Sequence, residues 1–127
     1  MNIFLDDLRL APDKYDLVFR SGEELVQWVI NNPNEEIDLI SFDHDLGDGQ
    51  IDGYDTVKQL VDLSVKAKKI QFHTDNFQGL LNMFWYLKNA NKAGLLPTLR
   101  TLNPHKIECI DGIERVSLYF NALRRRS

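Results

Sequence analysis

The chain has 127 residues, of which 43% are hydrophobic, and a formal net charge of −4. This length predicts a single domain, residues 1–127, with enough apolar side chains for a sizeable core. The net negative charge argues against general binding to duplex DNA and against binding to an anionic membrane surface.

The first half of the chain alternates short apolar runs with amphipathic segments. Strands are predicted over residues 3–6 and 15–20, with a loop over residues 7–14 between them. Ser21 followed by Glu24 forms a capping box, which predicts a helix over Gly22–Asn31. Residues 37–43 are the clearest buried strand, and residues 47–53 form a polar, glycine-rich loop.

The second half continues this alternation. Apolar spacing predicts helices over residues 54–66 and 77–89, the latter capped by Asn76, with a strand over residues 69–73 between them. A last strand is predicted over residues 106–110 and a last helix over residues 113–125. Residues 98–104 are equally compatible with an extended segment and a loop. The predicted fold is therefore an α/β three-layer sandwich around a mostly parallel sheet of about five strands.

Cysteine content and the N-terminal sequence bear on the expected location. Cys109 is the one cysteine, so no intramolecular disulfide can form and a reduced, cytoplasmic location is expected. The N-terminus begins directly with a strand-like run and has no long apolar stretch. Neither a signal peptide nor a membrane span is therefore predicted.

Carboxylates follow two of the predicted strands. The carboxyl ends of parallel strands meet at one sheet edge, so these groups are expected to converge there. Hard oxygen ligands of this kind favour Mg²⁺ or Mn²⁺. An alternative remains open, in which Asp6 and Asp7 cap a turn and pair with Arg9. The candidate metal ligands are Asp6, Asp7, Asp43 and Asp45.

Histidines and polar side chains lie at the same strand ends. His44 and His73 are candidates for dividing acid and base roles near neutral pH, although a lone strand-end histidine is also typical of a protein core. Thr74 and Asn76 carry groups that can donate hydrogen bonds to a phosphoryl oxygen. A calcium loop starting at Asp43 is disfavoured, because its twelfth position is Tyr54 rather than glutamate.

The pattern resembles response-regulator receiver domains, which have a flavodoxin-like topology. By that resemblance Asp6 and Asp7 match the acidic metal-binding pair, Asp43 the phosphoacceptor and Thr74 the hydroxyl residue after the fourth strand. Two features depart from a signalling receiver. The first helix is reduced to a loop over residues 8–14, and the nearest candidate for the lysine that follows strand five is Lys106.

A divergent branch is more similar. The runs LDDLR from residue 5, DHDLG from residue 43 and HTDNFQGLLNM from residue 73 resemble the motifs of the cyclic-phosphate-processing receiver-like family. The resemblance covers about residues 2–90 and places Arg9 and Asn82, with Thr74 and Asn76, among the phosphate-binding candidates. It implies activity on cyclic phosphates of RNA ends or nucleotides.

These observations lead to one preferred function and two alternatives. The preferred function is a metal-assisted phosphoesterase, with His44, His73 and Asp43 as catalytic residues and a phosphate-bearing small molecule or RNA end as partner. The alternatives are a non-catalytic phosphate- or nucleotide-binding module and a phosphorylation-controlled receiver. The sequence leaves open whether the chain is an enzyme and what its oligomeric state is.

Overall fold

A computed structural model of the chain describes residues 1–104. Five parallel strands within this range form one sheet in the order β2-β1-β3-β4-β5. The predicted α/β class and its parallel five-stranded sheet are confirmed. The elements are β1 (Asn2–Leu5), β2 (Leu17–Phe19), α1 (Gly22–Asn31), β3 (Ile37–Phe42), α2 (Gly53–Asp62), β4 (Ala67–Phe72), α3 (Phe77–Lys92) and β5 (Thr101–Asn103).

The direction of each crossover decides which face of the sheet it covers. The chain steps the same way across the sheet from β2 to β3, from β3 to β4 and from β4 to β5. Right-handed crossovers therefore place α1, α2 and α3 on one face. The step from β1 to β2 runs the other way, and Ala11 and Tyr15 of that connection pack against Phe4 and Leu39.

The two sheet faces differ in chemistry because side chains alternate along each strand. On the helical face β1, β3 and β4 contribute an apolar core of Ile3, Leu5, Ile40, Phe42, Ile70 and Phe72. On the other face Phe4 lies in register with Ser41, and Ser41 with Gln71. Ser41 and Gln71 are both buried. This second face thus has buried polar side chains directly below the carboxyl edge of the sheet.

Side-chain caps begin all three helices described within residues 1–104. Ser21 accepts a hydrogen bond from the Glu24 amide, as the capping box predicts. Asp52 caps α2 and Asn76 caps α3, each through its own side-chain oxygen. An N-cap side chain satisfies backbone amides that the helix itself leaves unpaired. The caps of α2 and α3 lie at the sheet edge where the site is found.

Two predicted helix ends were wrong. The helix predicted over residues 54–66 ends at Asp62, because Ser64 adopts a positive φ of 54° and the Val65 amide bonds back to the Leu60 carbonyl. The helix predicted over residues 77–89 continues to Lys92, until Gly94 adopts a φ of 78°.

The end of the sheet comes from the segment that the sequence left ambiguous. Thr101–Asn103 forms β5, parallel to β4. The predicted strand over residues 106–110 and the predicted helix over residues 113–125 lie outside the described residues. No helix within residues 1–104 is long and apolar enough to cross a membrane.

Candidate active site at the carboxyl edge of the sheet

A cleft of about 570 Å³ lies where β1, β3 and β4 end. It is lined from three directions, as expected for parallel strands that end at one edge. The segment after β1 contributes Asp6, Asp7, Leu8 and Arg9. The segment after β3 contributes Asp43, His44, Asp45 and the following loop. The segment after β4 contributes Thr74 and Asp75.

Three carboxylates form a compact group at the base of this cleft. One oxygen each from Asp6, Asp7 and Asp43 lies within 4.8 Å of the others. Burial, together with the charge of Asp6, raises the pKa of Asp43. Carboxylates that oppose each other's ionisation in this way are a chemically suitable donor set for a divalent cation. Asp45, the fourth predicted ligand, lies outside this group and has an exposed side chain.

Backbone hydrogen bonds and an ion pair with Arg9 hold the Asp6 carboxylate in place. Its Oδ1 accepts hydrogen bonds of 2.8 Å from the Leu8 and Arg9 amides, and Arg9 Nη1 lies 3.5 Å from Oδ2. The turn-capping alternative is therefore realised for Asp6, alongside its place in the carboxylate group. Burial opposes the charge of Asp6, but hydrogen bonds from His73 and from these amides lower its pKa to about 2.

His73 lies behind Asp6 and not in the cleft. It is 0% exposed; Nε2 lies 2.9 Å from Asp6 Oδ2 and Nδ1 lies 2.8 Å from Ser41 Oγ. Its ring stacks on Phe4 with a centroid distance of 4.3 Å. From the sequence, His73 was predicted to share acid and base roles with His44 at a substrate. The structure instead buries His73 completely between Asp6 and Ser41, so His73 is placed to orient Asp6.

His44 is the imidazole that reaches the cleft. Its Nδ1 lies 2.9 Å from Asp45 Oδ1 and 3.1 Å from Asn76 Nδ2, and its Nε2 lies 3.5 Å from Asp52 Oδ2. A Cβ added to Gly79 would lie 2.4 Å from Cγ of His44. The glycine on α3 therefore makes room for the ring, and the surrounding polar groups set its orientation.

The predicted phosphate-binding residues divide into two groups. Thr74 hydrogen-bonds Asp43 through its side chain, and Arg9 bonds the His73 carbonyl and Asp75, so both lie at the cleft. Asn76 contacts His44 but is not among the residues that line the cleft. Asn82 is exposed on α3 and accepts a hydrogen bond from Gln78, away from the cleft. The structure does not bring Asn82 to the site.

Sequence reasoning missed three residues that shape the site. Ser41 supports His73, and Asp52 faces His44 while capping α2. Arg20 donates to the carbonyls of Asp6 and Arg9, which ties the loop after β1 to β2. A detectable signal existed for Ser41, because it is the one polar residue in the run 39–42, and a hydroxyl within such a run indicates a buried polar partner.

Comparisons with known proteins agree with this architecture. The family described as Cyclic-phosphate processing Receiver domain matches residues 1–89. No curated protein matches the chain. Among solved structures, the response regulator domain of Thermotoga maritima CheB is similar with a TM-score of 0.52 at 13% identity, covering 98% of this chain and 90% of that one.

A second solved structure is the signal receiver domain of a modulated diguanylate cyclase from Desulfovibrio desulfuricans. Its TM-score is 0.49 at 14% identity, covering 99% of this chain and 97% of that one. At such identities the similarity to the CheB domain concerns the receiver fold alone. The family match spans well over half of the sequence, and the chain therefore belongs to the cyclic-phosphate processing receiver domain family.

Proposed function

We propose that the chain is a metal-assisted phosphoesterase that acts on cyclic phosphates. One observation carries the proposal: a single cleft at the sheet edge is lined both by the compact group of Asp6, Asp7 and Asp43 and by His44. The arrangement joins a cation site to a proton-transfer group. The description of the family, cyclic-phosphate processing, suggests the class of substrate.

The carboxylate group is the part that would hold Mg²⁺ or Mn²⁺. Asp7 and Asp43 extend from the ends of β1 and β3, and Asp6 is fixed between them and His73. A divalent cation bound there would polarise a phosphoryl oxygen and lower the pKa of a bound water. The clustered negative charge would repel an anionic phosphate, so the proposal requires a cation at this group before the phosphate can enter.

His44 is the group that moves a proton in this proposal. Asp45 and Asn76 contact its Nδ1 side, so the ring has a defined orientation toward the cleft. Opening a cyclic phosphate requires one proton to leave the attacking water and one to reach the departing oxygen. An imidazole suits both transfers near neutral pH.

Arg9 and Thr74 are the groups that would position the phosphate. Arg9 Nη2 already binds the Asp75 carboxylate at 2.8 Å, and the Asp75 side chain is 45% exposed. A phosphate oxygen can share this guanidinium, because Arg presents several donors in a planar fork. The Thr74 hydroxyl lies next to Asp43 and completes the same wall.

The direct test is turnover of a panel of 2′,3′- and 3′,5′-cyclic nucleotides by the full chain with Mg²⁺ or Mn²⁺. We expect ring opening, and a fall in kcat of about 10²-fold or more for Asp43→Asn, which removes one cation ligand. Asp62→Asn, an exposed change at the end of α2, is the matched control. Folded wild-type protein that opens no member of the panel would refute the proposal.

A phosphorylation-controlled receiver is the second candidate, favoured by the hydrogen bond between Thr74 and Asp43. Against it, Lys106, the nearest candidate for the lysine of a signalling receiver, follows β5 only after Pro104 and His105. Incubation with acetyl phosphate or beryllofluoride separates the two functions. A stable adduct on Asp43, without opening of cyclic phosphates, would favour the receiver function. Tight binding with the ligand recovered intact would favour a non-catalytic module.

A further inference from the structure

The charge around the cleft restricts what kind of phosphate can approach it. Within the described part of the chain, Arg9 is the one lysine or arginine that lines the cleft, against seven aspartates. A single divalent cation offsets two of these charges and leaves a clear excess of negative charge. The seven are Asp6, Asp7, Asp43, Asp45, Asp48, Asp52 and Asp75.

The excess negative charge lies more at the rim of the cleft than at its base. The side chains of Asp45, Asp52 and Asp75 are 70%, 39% and 45% exposed, whereas Asp6 and Asp43 are buried. A cation at the base compensates the phosphate that it contacts. It compensates the rim poorly, because interactions between exposed charges fall off over a Debye length of about 8 Å at physiological ionic strength.

The rim also carries an apolar group. Leu8 lines the cleft and is 85% exposed, whereas Leu10, two residues later, is 86% exposed but does not line it. An uncharged ring, such as a nucleobase, can cover Leu8 and remove its apolar surface from water. A cleft of about 570 Å³ is within the usual size for a small-molecule site.

We propose that the cleft selects a small ligand with a single cyclic phosphate, of the nucleoside 2′,3′-cyclic monophosphate class, and discriminates against the cyclic-phosphate end of an RNA chain. In an RNA end, the phosphodiesters upstream of the reacting phosphate pass the rim aspartates and are repelled. A mononucleotide places its one phosphate at the cation and its neutral base toward Leu8. This inference rests on the proposed function and specifies its substrate.

The test is calorimetric binding to the full chain with Mn²⁺, comparing adenosine 2′,3′-cyclic monophosphate with a hexanucleotide that ends in the same group. We expect the mononucleotide to bind about tenfold more tightly at low salt, with the difference shrinking as salt rises. Equal or tighter binding of the hexanucleotide would overturn the inference.

Two pairs of variants locate the discrimination. Asp48→Asn, at the rim, should improve hexanucleotide binding severalfold and leave the mononucleotide almost unchanged, whereas Asp62→Asn should alter neither. Leu8→Ser should weaken mononucleotide binding severalfold, whereas Leu10→Ser should not. If each variant behaves like its control, the rim does not select the ligand and the inference is wrong.

Analysis of the recovered ligands separates this inference from the proposed function. Selective mononucleotide binding with the ligand intact would remove the phosphoesterase proposal and leave the selectivity standing. Opening of both ligands with equal affinity would support the phosphoesterase proposal and overturn the selectivity. Failure of both ligands to bind in the presence of Mn²⁺ would overturn both.

Discussion

His44 and His73 follow neighbouring strands at the same sheet edge, yet they occupy opposite environments. His73 is fully buried between Asp6, Ser41 and the Phe4 ring, so its contacts are all internal. His44 lines the cleft, and two of its contacts are partly exposed carboxylates. The contrast shows that one residue type, placed one strand apart, is a buried support in one position and a cleft-lining group in the other.

Removing the cleft imidazole should have the largest effect on turnover. We expect His44→Gln to lower kcat for a cyclic nucleotide by about 10²–10⁴-fold, because a positioned proton-transfer group is lost. Its unfolding free energy in urea should stay within about 1 kcal/mol of the wild type, since its polar contacts are near the surface. Unchanged kcat in His44→Gln would show that the proton transfers occur elsewhere.

Removing the buried imidazole should affect stability most. His73→Ala leaves the buried Asp6 carboxylate and the Ser41 hydroxyl without their shared partner. We therefore expect the unfolding free energy to fall by about 3 kcal/mol or more, measured by urea denaturation. His44→Ala is the matched control and should cost much less. Equal losses for the two variants would contradict the contrast between them.

Acid should reveal the support that His73 gives to Asp6. The pKa of Asp6 is lowered from an ordinary 3.8 to about 2, so the folded state binds this proton less readily than the unfolded state. Asp6 therefore contributes roughly 2 kcal/mol of stability that is fully present above pH 4 and is lost as the pH falls toward 2. Urea denaturation at a series of acidic pH values measures this loss.

Asp43 provides an internal contrast for that experiment. Burial and the charge of Asp6 raise its pKa, so its contribution has the opposite sign and stability declines as the pH rises through its own titration. Asp6→Asn should remove the acid-labile stability, whereas Asp43→Asn should retain it. An unchanged pH dependence in Asp6→Asn would assign the effect to other carboxylates.

Gly79, which packs against the His44 ring, gives the prediction with the smallest expected effect. A Cβ at position 79 would clash with the imidazole, so Gly79→Ala should destabilise the wild type by about 1–2 kcal/mol. In a His44→Ala background the clash disappears and alanine is the better helix former. The same change should then stabilise by up to about 1 kcal/mol. An identical effect in both backgrounds would mean that the ring does not occupy this space.

The site was partly predictable because parallel strand ends converge. Asp6, Asp7 and Asp43 were expected together and lie together, since each follows a strand of the same sheet. Asn82 was placed with them through a sequence motif. It falls on an exposed turn of α3, where no local pattern distinguishes a cleft-facing asparagine from one that bonds its helical neighbour Gln78.

The predicted helix ends also show where local sequence patterns fail to give the structure. The apolar spacing through Val65 predicted that the second helix would continue, and Val65 is indeed buried. It reaches the core from a turn instead, because Ser64 reverses the backbone and closes the helix early. Apolar spacing therefore identified the buried residue correctly but not the backbone conformation that buries it.

The sequence by itself determined the alternation of strands and helices and the convergence of acidic strand ends at one sheet edge. Those features depend on local periodicity and on the common direction of parallel strands. Only the tertiary structure decided that His73 lies behind Asp6 while His44 meets the cleft. The two positions differ in burial because the His73 ring stacks on Phe4 inside the protein, whereas His44 lines the cleft.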